Sequence, residues 1–300
     1  MLFGIVAMIL VGVSWTALGY VMGEAPKRKI DPGILLFLSA ALALTVSLIV
    51  GLLQGLPRTS AAGLWLAIGS LLLGGILNYF QLDLMSRAMQ RGPNGIIWSI
   101  IQMGFVFPFF MGILFFGVPL GGWRMAGFWA IMVSLLLFGA GPNAHVSGKW
   151  KGLTLSAFLM TGANQSLSNL PSYFPAADAV SSVWRTAAFA GGIMLAALAM
   201  KCLDRKNFFP YLNRQARRRE LWRYCLLLEG FELVFSFFLF YPGMDCLSHA
   251  GAGAIAYPVM VSSCLIGFEF FAVLILREKR NPMQRAALLL SLLGIIGVCS

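Results

Sequence analysis

Three glutamates stand within long apolar stretches of this 300-residue sequence, at Glu229, Glu232 and Glu269. Glu229 and Glu232 are three residues apart, so a helix would place them on one face. An ionised carboxylate is costly inside an apolar medium unless a cation, water or a proton accompanies it. Two neighbouring carboxylates also repel each other when both are ionised, so one of them can hold an exchangeable proton. All three glutamates are therefore candidates for proton coupling.

A structural role is the alternative for these glutamates. Either member of the Glu229/Glu232 pair could form an ion pair with Arg185, or carry a proton and bond to a neighbouring helix. Arg185 also has an acidic residue, Asp178, seven positions earlier, which lies on the same face of a continuous helix. The sequence therefore predicts an ion pair between Arg185 and Asp178, with anchoring of an anionic substrate group as the other interpretation.

A polar stripe at helical spacing supplies the first substrate-binding candidates. Thr161, Asn164, Gln165 and Ser168 recur at intervals of three and four residues. Amide and hydroxyl groups offer donors and acceptors without charge, which suits a polyol or a zwitterion. Hydrogen bonding between helices is the competing explanation of such a stripe. We predict that Asn164 and Gln165 bind substrate.

Aromatic and amide side chains extend the predicted substrate site. Trp98 and Gln102 share a face of one apolar segment, Tyr257 has the equivalent place in a later one, and Asn78 precedes Gln81 by three residues. A ring beside amides can stack on a sugar, although aromatic residues in apolar helices also serve as packing or interface anchors. Trp98, Gln102, Asn78 and Tyr257 complete the predicted substrate-binding set.

The elements that must position these residues follow from the composition. Hydrophobic residues make up 59% of the chain and charged residues 11%, with a mean hydropathy of +0.82, which excludes a water-soluble monomer. A helix crosses a bilayer with roughly 20 apolar residues. Segments of this length lie at about 2–22, 34–53, 61–80, 94–116, 121–140, 152–170, 177–200, 221–241, 251–276 and 282–299. We predict an all-α integral membrane protein with ten transmembrane helices.

The basic residues are distributed unevenly among the nine connections. Of the 22 Lys and Arg, 19 lie in odd-numbered connections, and Arg58, Arg124 and Arg185 are the remaining 3. Because cytoplasmic loops collect Lys and Arg, the odd-numbered connections are predicted to be cytoplasmic and both termini to face outside. The net charge of +11 then requires no nucleic-acid partner. The longest connection, 201–220, is predicted to be a basic cytoplasmic loop.

A weak internal repeat relates the two halves of the sequence. Residues 12–19, GVSWTALG, match residues 162–169, GANQSLSN, and the stretch beginning at 92 matches the stretch beginning at 251. The predicted units are 1–140 and 152–300, with five helices each. An odd number of crossings turns the second unit upside down relative to the first, and such inverted repeats surround a site near the membrane midplane.

Residues 88–109 and 123–127 resemble the fourth and fifth helices of EamA-type ten-helix proteins in the drug/metabolite transporter superfamily. Residues 253–279 and 284–285 resemble the same pair in the second repeat. Glu278 matches the acidic residue that this family carries before the final helix of a repeat, whereas Val118 stands at that place in the first repeat. A fainter similarity, in residues 75–79 and the helix that contains Asn164, is to the sugar-porter branch. The resemblance implies a ten-helix transporter.

Together these features predict a secondary transporter in the inner (cytoplasmic) membrane that moves a small polar metabolite, sugar-like or amino-acid-like, by alternating access with proton coupling. An exporter of lipophilic compounds and a non-transporting scaffold or sensor are the alternatives. The sequence has no Walker-type loop, His-Glu-x-x-His or GxSxG motif, so no enzyme activity and no cofactor are predicted. The five Cys have no metal-ligand spacing. The predicted partners are a small-molecule substrate and the lipid bilayer.

Overall fold

A computed structural model describes residues 1–92, 94–139, 149–204, 208–274 and 282–300. Within these ranges the chain forms helices and no strand. In chain order the α-helices are α1 (Leu2–Glu24), α2 (Pro32–Gln54), α3 (Ala61–Met89), α4 (Asn94–Gln102), α5 (Val106–Phe116), α6 (Gly122–Gly139), α7 (Lys149–Asn169), α8 (Pro175–Asp178), α9 (Ser182–Asp204), α10 (Phe208–Ala216), α11 (Arg219–Phe235), α12 (Tyr241–His249), α13 (Ala256–Leu274) and α14 (Pro282–Cys299).

The ten apolar segments of the sequence each coincide with a helical stretch of this fold. In the described part of the chain, six stretches are long and apolar enough to cross a membrane: α1, α2, α3, Ile96–Phe116, Ser182–Leu203 and Arg219–His249. Shorter apolar helices cover Gly122–Leu137, Gly253–Phe268 and Arg285–Cys299. The predicted all-helical class is confirmed, and the chain is compatible with a multi-pass membrane protein.

Three prolines account for the irregular turns inside the long helical stretches. A proline has no N–H to donate to the carbonyl four residues earlier, so the regular ladder is broken there. Pro108 follows the 3₁₀ turn Met103–Phe105, which joins α4 to α5. Pro258 follows the 3₁₀ turn Gly253–Ile255 before α13. Pro242 follows the π-helical turn Ser236–Phe240 between α11 and α12. In each case the residue four positions earlier lies within the irregular turn.

The even-numbered connections meet at one end of the bundle, which we call the even end. Successive long helices therefore run in opposite directions. The Thr59 hydroxyl, which precedes α3, donates to the Ala176 carbonyl at 2.5 Å. The ring of Phe116, at the end of α5, stacks on Tyr173 at 4.0 Å between centroids. The Asn169 amide donates to the Gly253 carbonyl at 3.3 Å. The connections that follow α2, α5, α7 and α12 are thus neighbours.

The opposite end, called the odd end, gathers the first, third and seventh connections. Arg218 donates to the carbonyls of Lys29 and Arg28 at 2.6 and 2.8 Å. A cavity of about 330 Å³ at this end is bordered by residues from all three connections, among them Lys29, Arg87 and Tyr211. The described contacts thus group the second, fourth, sixth and eighth connections at one end and the first, third and seventh at the other.

The segment 201–220 differs from the predicted loop. Its middle is the helix α10, whose Phe208 is buried against Ile30 and Ile34. The Tyr211 hydroxyl donates to Asp31 at 3.2 Å, and Gln215 donates to Tyr211 at 3.2 Å. The many charges of this segment masked one apolar face of a short helix, and that face packs on the start of α2. The segment is therefore part of the packed odd end.

Asp31 has two structural roles at the start of α2. Its carboxylate caps the helix by accepting the N–H groups of Gly33 at 2.9 Å and Ile34 at 3.2 Å, and it pairs with Lys201 of α9 at 2.8 Å. Burial raises the pKa of Asp31, but the hydrogen bonds from Lys201, Ile34 and Tyr211 and the Lys201 charge outweigh burial and hold this pKa below its usual value.

Replacement Asp31→Asn should lower the free energy of unfolding by about 1–3 kcal/mol at neutral pH. Asn is also a good N-cap, so the variant removes the ion pair and keeps the cap. Because the folded-state pKa of Asp31 is depressed, the native contribution is present above the ordinary Asp value of about 3.9 and is lost as the pH falls below it. Denaturant unfolding in detergent between pH 3 and 7 should show the difference shrinking at the acid end. A difference that stays undiminished at pH 3 would contradict this assignment.

The helices α3 and α9 cross at van der Waals distance through two glycines. A Cβ on Gly75 would collide with the carbonyl oxygen of Phe189, and a Cβ on Gly192 would collide with that of Leu72. Small residues allow such close backbone approach between apolar helices. A smaller cavity of about 50 Å³ lies among α2, α3, α9 and α11. Phe189 takes part in the close crossing and also borders this cavity.

Candidate functional site

A central cavity lies within the bundle and contacts α1, α3, α4, α7, α9, α11, α12 and α13. Its volume is about 110 Å³, several times what a single water molecule needs. The structure brings six of the predicted residues together on this lining with one predicted glutamate: Asn164, Gln165, Trp98, Gln102, Asn78, Tyr257 and Glu232. These seven residues come from five helices, α3, α4, α7, α11 and α13, and thus converge on one space.

An amide network holds one wall of the central cavity. The Asn164 side-chain amide of α7 donates to the side-chain oxygens of Asn78 at 3.4 Å and Gln81 at 3.2 Å, both on α3. The Asn164 oxygen accepts from the Ser168 hydroxyl at 3.3 Å. Both polar ends of Asn164 are therefore engaged. Its observed contacts are those of a residue that joins α3 to α7.

Two buried polar atoms in the same lining have no hydrogen-bond partner among the described residues. They are the Gln165 Oε1 and the Trp98 Nε1. Gln165 is 3% exposed and Trp98 is 8% exposed. The nearby Gln102 donates to the Cys264 sulfur at 4.0 Å. An unpaired buried acceptor and donor are costly to leave unsatisfied, so Gln165 and Trp98 are the residues best placed to bond a solute.

Aromatic rings also line the central cavity. The Trp15 ring lies 6.3 Å from the ring of Tyr257, and Phe240 lies 6.4 Å from the same ring. Phe231 and Phe235 of α11 stack with their centroids 6.1 Å apart. The π-helical turn before Pro242 brings Ser236 and Phe240 to the lining. The site therefore combines amide side chains with aromatic rings.

The two glutamates of α11 take different positions. Glu232 lines the central cavity and the smaller cavity beside α2, and its side chain is exposed. Glu229 is 5% exposed and borders the smaller cavity but not the central one. Its Oε2 has no hydrogen-bond partner among the described residues. A solute in the central cavity can thus reach Glu232, while Glu229 lies behind it. Glu269 belongs to α13, and its side chain lies outside what the structure describes.

Arg185 is buried at the even end and pairs with two aspartates. Its guanidinium donates to Asp245 of α12 at 2.8 and 3.1 Å, and it lies 3.6 Å from Asp178. The predicted Arg185–Asp178 pair exists, but Asp245 is the closer partner. His249 in turn contacts Asp178. The interpretation in which Arg185 neutralises Glu229 or Glu232 does not fit these contacts.

Sequence reasoning missed several residues that border the central cavity, chiefly Trp15, Phe189 and the rings of α11 and α12. A signal for Trp15 was present, because it matches Gln165 in the repeat alignment. Phe189 and the α11 rings carry no signal that separates them from lipid-facing rings. Among the described residues, no group of His, Cys, Asp or Glu side chains could hold a metal ion.

A solved crystal structure, described only as that of a protein, is similar to the whole fold. It has 15% sequence identity and a TM-score of 0.67, covering 99% of this chain and 94% of that one. At this identity the likeness shows the fold alone. No protein-family model and no curated protein matches the chain.

Proposed function

We propose that the chain is a secondary transporter that moves a small polar metabolite, sugar-like or amino-acid-like, across the cytoplasmic membrane by alternating access. One observation carries the proposal: positions that are equivalent in the repeat alignment line the same cavity. The pairs are Ser14 with Asn164, Trp15 with Gln165, Leu18 with Ser168, and Trp98 with Tyr257. A site shared between two inverted repeats is the arrangement around which such transporters rock.

The helix packing supports ten spans in two inverted five-helix repeats. In this scheme α1 is equivalent to α7, α2 to α9, α3 to α11 with α12, α4 with α5 to α13, and α6 to α14. The equivalent helices α2 and α9 pack on each other, as do α6 and α14. The contact of α1 with α13 has its counterpart in α7 with α4 and α5. The contact of α3 with α7 likewise has its counterpart in α11 and α12 with α1. This pairing is what a twofold relation requires.

The orientation follows from the charges at the odd end. The odd-numbered connections hold 19 of the 22 Lys and Arg. Three of these connections, the first, third and seventh, meet at the odd end. The positive-inside rule puts it in the cytoplasm and both termini outside. The resemblance to the EamA-type branch of the drug/metabolite transporter superfamily supports the same topology. Glu229 and Glu232 supply the proposed proton coupling.

The aromatic rings that line the central cavity favour a second candidate, an exporter of lipophilic compounds. Rings such as Trp15, Phe235 and Tyr257 bind apolar surface as well as they stack on a polar ring. The amides and Glu232 favour the polar solute, because an apolar occupant would leave the Gln165 oxygen and the Trp98 N–H unpaired.

Counterflow in liposomes tests the proposed function. Vesicles that contain the purified full chain are loaded with one unlabelled sugar, amino acid or amine at high concentration, and uptake of the same labelled solute is followed. Transport predicts a transient accumulation of label in protein-containing vesicles for at least one solute. Empty vesicles and vesicles with heat-denatured protein are the controls. Leakage equal to that of empty vesicles across all the solutes would refute transport.

Gln165 and Asn164 should separate in this assay. Replacement Gln165→Leu should weaken binding of the transported solute by roughly 5 to 150-fold, because its free oxygen bonds the solute. Its thermal stability should be close to native. Asn164→Leu should instead lower stability, because Asn78 and Gln81 lose their common donor. Native affinity in Gln165→Leu, measured by concentration-dependent counterflow, would remove Gln165 from the binding site.

A further inference from the structure

We infer that the solute of the central cavity is a protonated organic amine that carries a hydrogen-bonding oxygen, rather than a sugar, a zwitterion or an anion. This inference rests on the proposed transport of a small polar metabolite and replaces the sugar-like or amino-acid-like solute with an amine. It is carried by three features of one lining: a single accessible carboxylate, a set of aromatic rings, and one unpaired donor together with one unpaired acceptor.

The charge of the lining selects for a cation. Among the described residues that border the central cavity, Glu232 is the only acidic or basic side chain. The nearest buried cation of α9, Arg185, is 1% exposed and committed to Asp245 and Asp178. A carboxylate or phosphate on a solute would therefore meet Glu232 without any compensating positive charge. An amine would instead meet the opposite charge of Glu232 at short range, where the two charges attract each other.

The rings add a second preference for positive charge. The rings of Trp15 and Phe240 lie 6.3 and 6.4 Å from the ring of Tyr257. The faces of aromatic rings attract cations, most strongly where water is excluded. The same rings offer apolar surface to the hydrocarbon part of an amine. Neither feature gives an anion a favourable contact.

The unpaired atoms require polar groups on the solute besides the ammonium. The Trp98 N–H can only donate, so it needs an oxygen acceptor on the solute. The Gln165 oxygen can only accept, so it needs a hydroxyl or ammonium hydrogen. A hydroxylated amine satisfies both atoms and Glu232 together. A polyol satisfies the first two and leaves the carboxylate without a counter-charge.

Three matched probes test the inference: tyramine, tyrosine and tyrosol. They share a hydroxyphenyl body, and tyramine has an amine, tyrosine has an amine with a carboxylate, and tyrosol is neutral. Equilibrium binding to the purified full chain in detergent, at neutral pH, should rank tyramine about tenfold or more above the other two, as expected for a bond to a charged group. In Glu232→Gln, tyramine and tyrosol should bind alike, and Glu232→Asp should keep the preference.

Glu220→Gln is the matched control, because Glu220 lies on the same helix and pairs with Arg28 at the odd end, away from the cavity. It should keep the tyramine preference. Binding of tyrosol or tyrosine as tight as that of tyramine overturns the inference, and so does a preference that survives in Glu232→Gln or the absence of tyramine binding. Counterflow separates the two proposals. Glu232-dependent tyramine binding without transport of any solute refutes the transporter and leaves the amine site, whereas transport of neutral solutes alone refutes the amine site and leaves the transporter.

Discussion

Replacing Glu229 with Gln should abolish solute accumulation driven by a pH gradient, while exchange of the solute down its own gradient persists. Glu229 lies behind Glu232, away from the central cavity, and its Oε2 has no partner among the described residues. An ionised carboxylate in such a place is costly, so a proton is its natural companion. Gln has the same shape and cannot release a proton. Accumulation and exchange, measured in the same liposomes with the solute identified by counterflow, should therefore separate.

Glu220→Gln is again the appropriate control, since it removes a carboxylate from the same helix outside both cavities. It should retain gradient-driven accumulation at the native level. Equal accumulation by native protein and Glu229→Gln, at equal amounts in the membrane, would make Glu229 a structural residue. Loss of exchange together with accumulation would show that Glu229 shapes the solute site.

Replacing Arg185 with Met should lower the free energy of unfolding by about 3–5 kcal/mol, as is typical when one partner of a buried ion pair is removed. Met keeps much of the length of the arginine stem, so the lost quantity is mainly charge and hydrogen bonding. Asp245 and Asp178 would then lose the guanidinium that they share. Denaturant unfolding in detergent measures the change.

A double variant isolates the cause of that loss. Adding Asp245→Asn to Arg185→Met removes the closest stranded carboxylate and should restore a substantial part of the stability, because the two changes are coupled. Arg58→Met is the control at the same end: Arg58 is exposed, and its loss should change stability by less than about 0.5 kcal/mol. Equal stability of native protein and Arg185→Met would show that the ion-pair cluster contributes nothing.

The helices were predictable because their signal is local. Each apolar segment ends at glycine, proline or a charge cluster within the chain itself, and the irregular turns near Pro108 and Pro258 follow from the chemistry of a single residue. The prediction that 201–220 is a loop was wrong for a related reason. Its charges dominate any average over the segment, although Phe208 and Tyr211 lie on one face of a short helix that packs on α2.

The residues that line the cavity and the ion pair of Arg185 were predictable only in part. Asn164, Gln165 and Trp98 stood out because polar or aromatic groups at helical spacing are visible in the sequence. Asp245 fell beyond the predicted segment 221–241, and its pairing with Arg185 depends on how far α12 and α9 extend past each other. The relative position of α9 and α12 along their lengths is set by packing between residues that are 60 positions apart in the chain. No local sequence pattern indicates it.

In the proposed repeat scheme, equivalent positions of the two halves line the cavity with unlike side chains. From α1 come Ser14, Trp15 and Leu18, and from α7 come Asn164, Gln165 and Ser168. A solute with a polar face and an apolar face therefore has one preferred way to lie, with its polar face toward α7. Under the proposed alternating access these polar groups stay on α7 whichever end is open, so we expect the solute to keep this orientation throughout the proposed cycle. It would leave the protein without having turned over inside it.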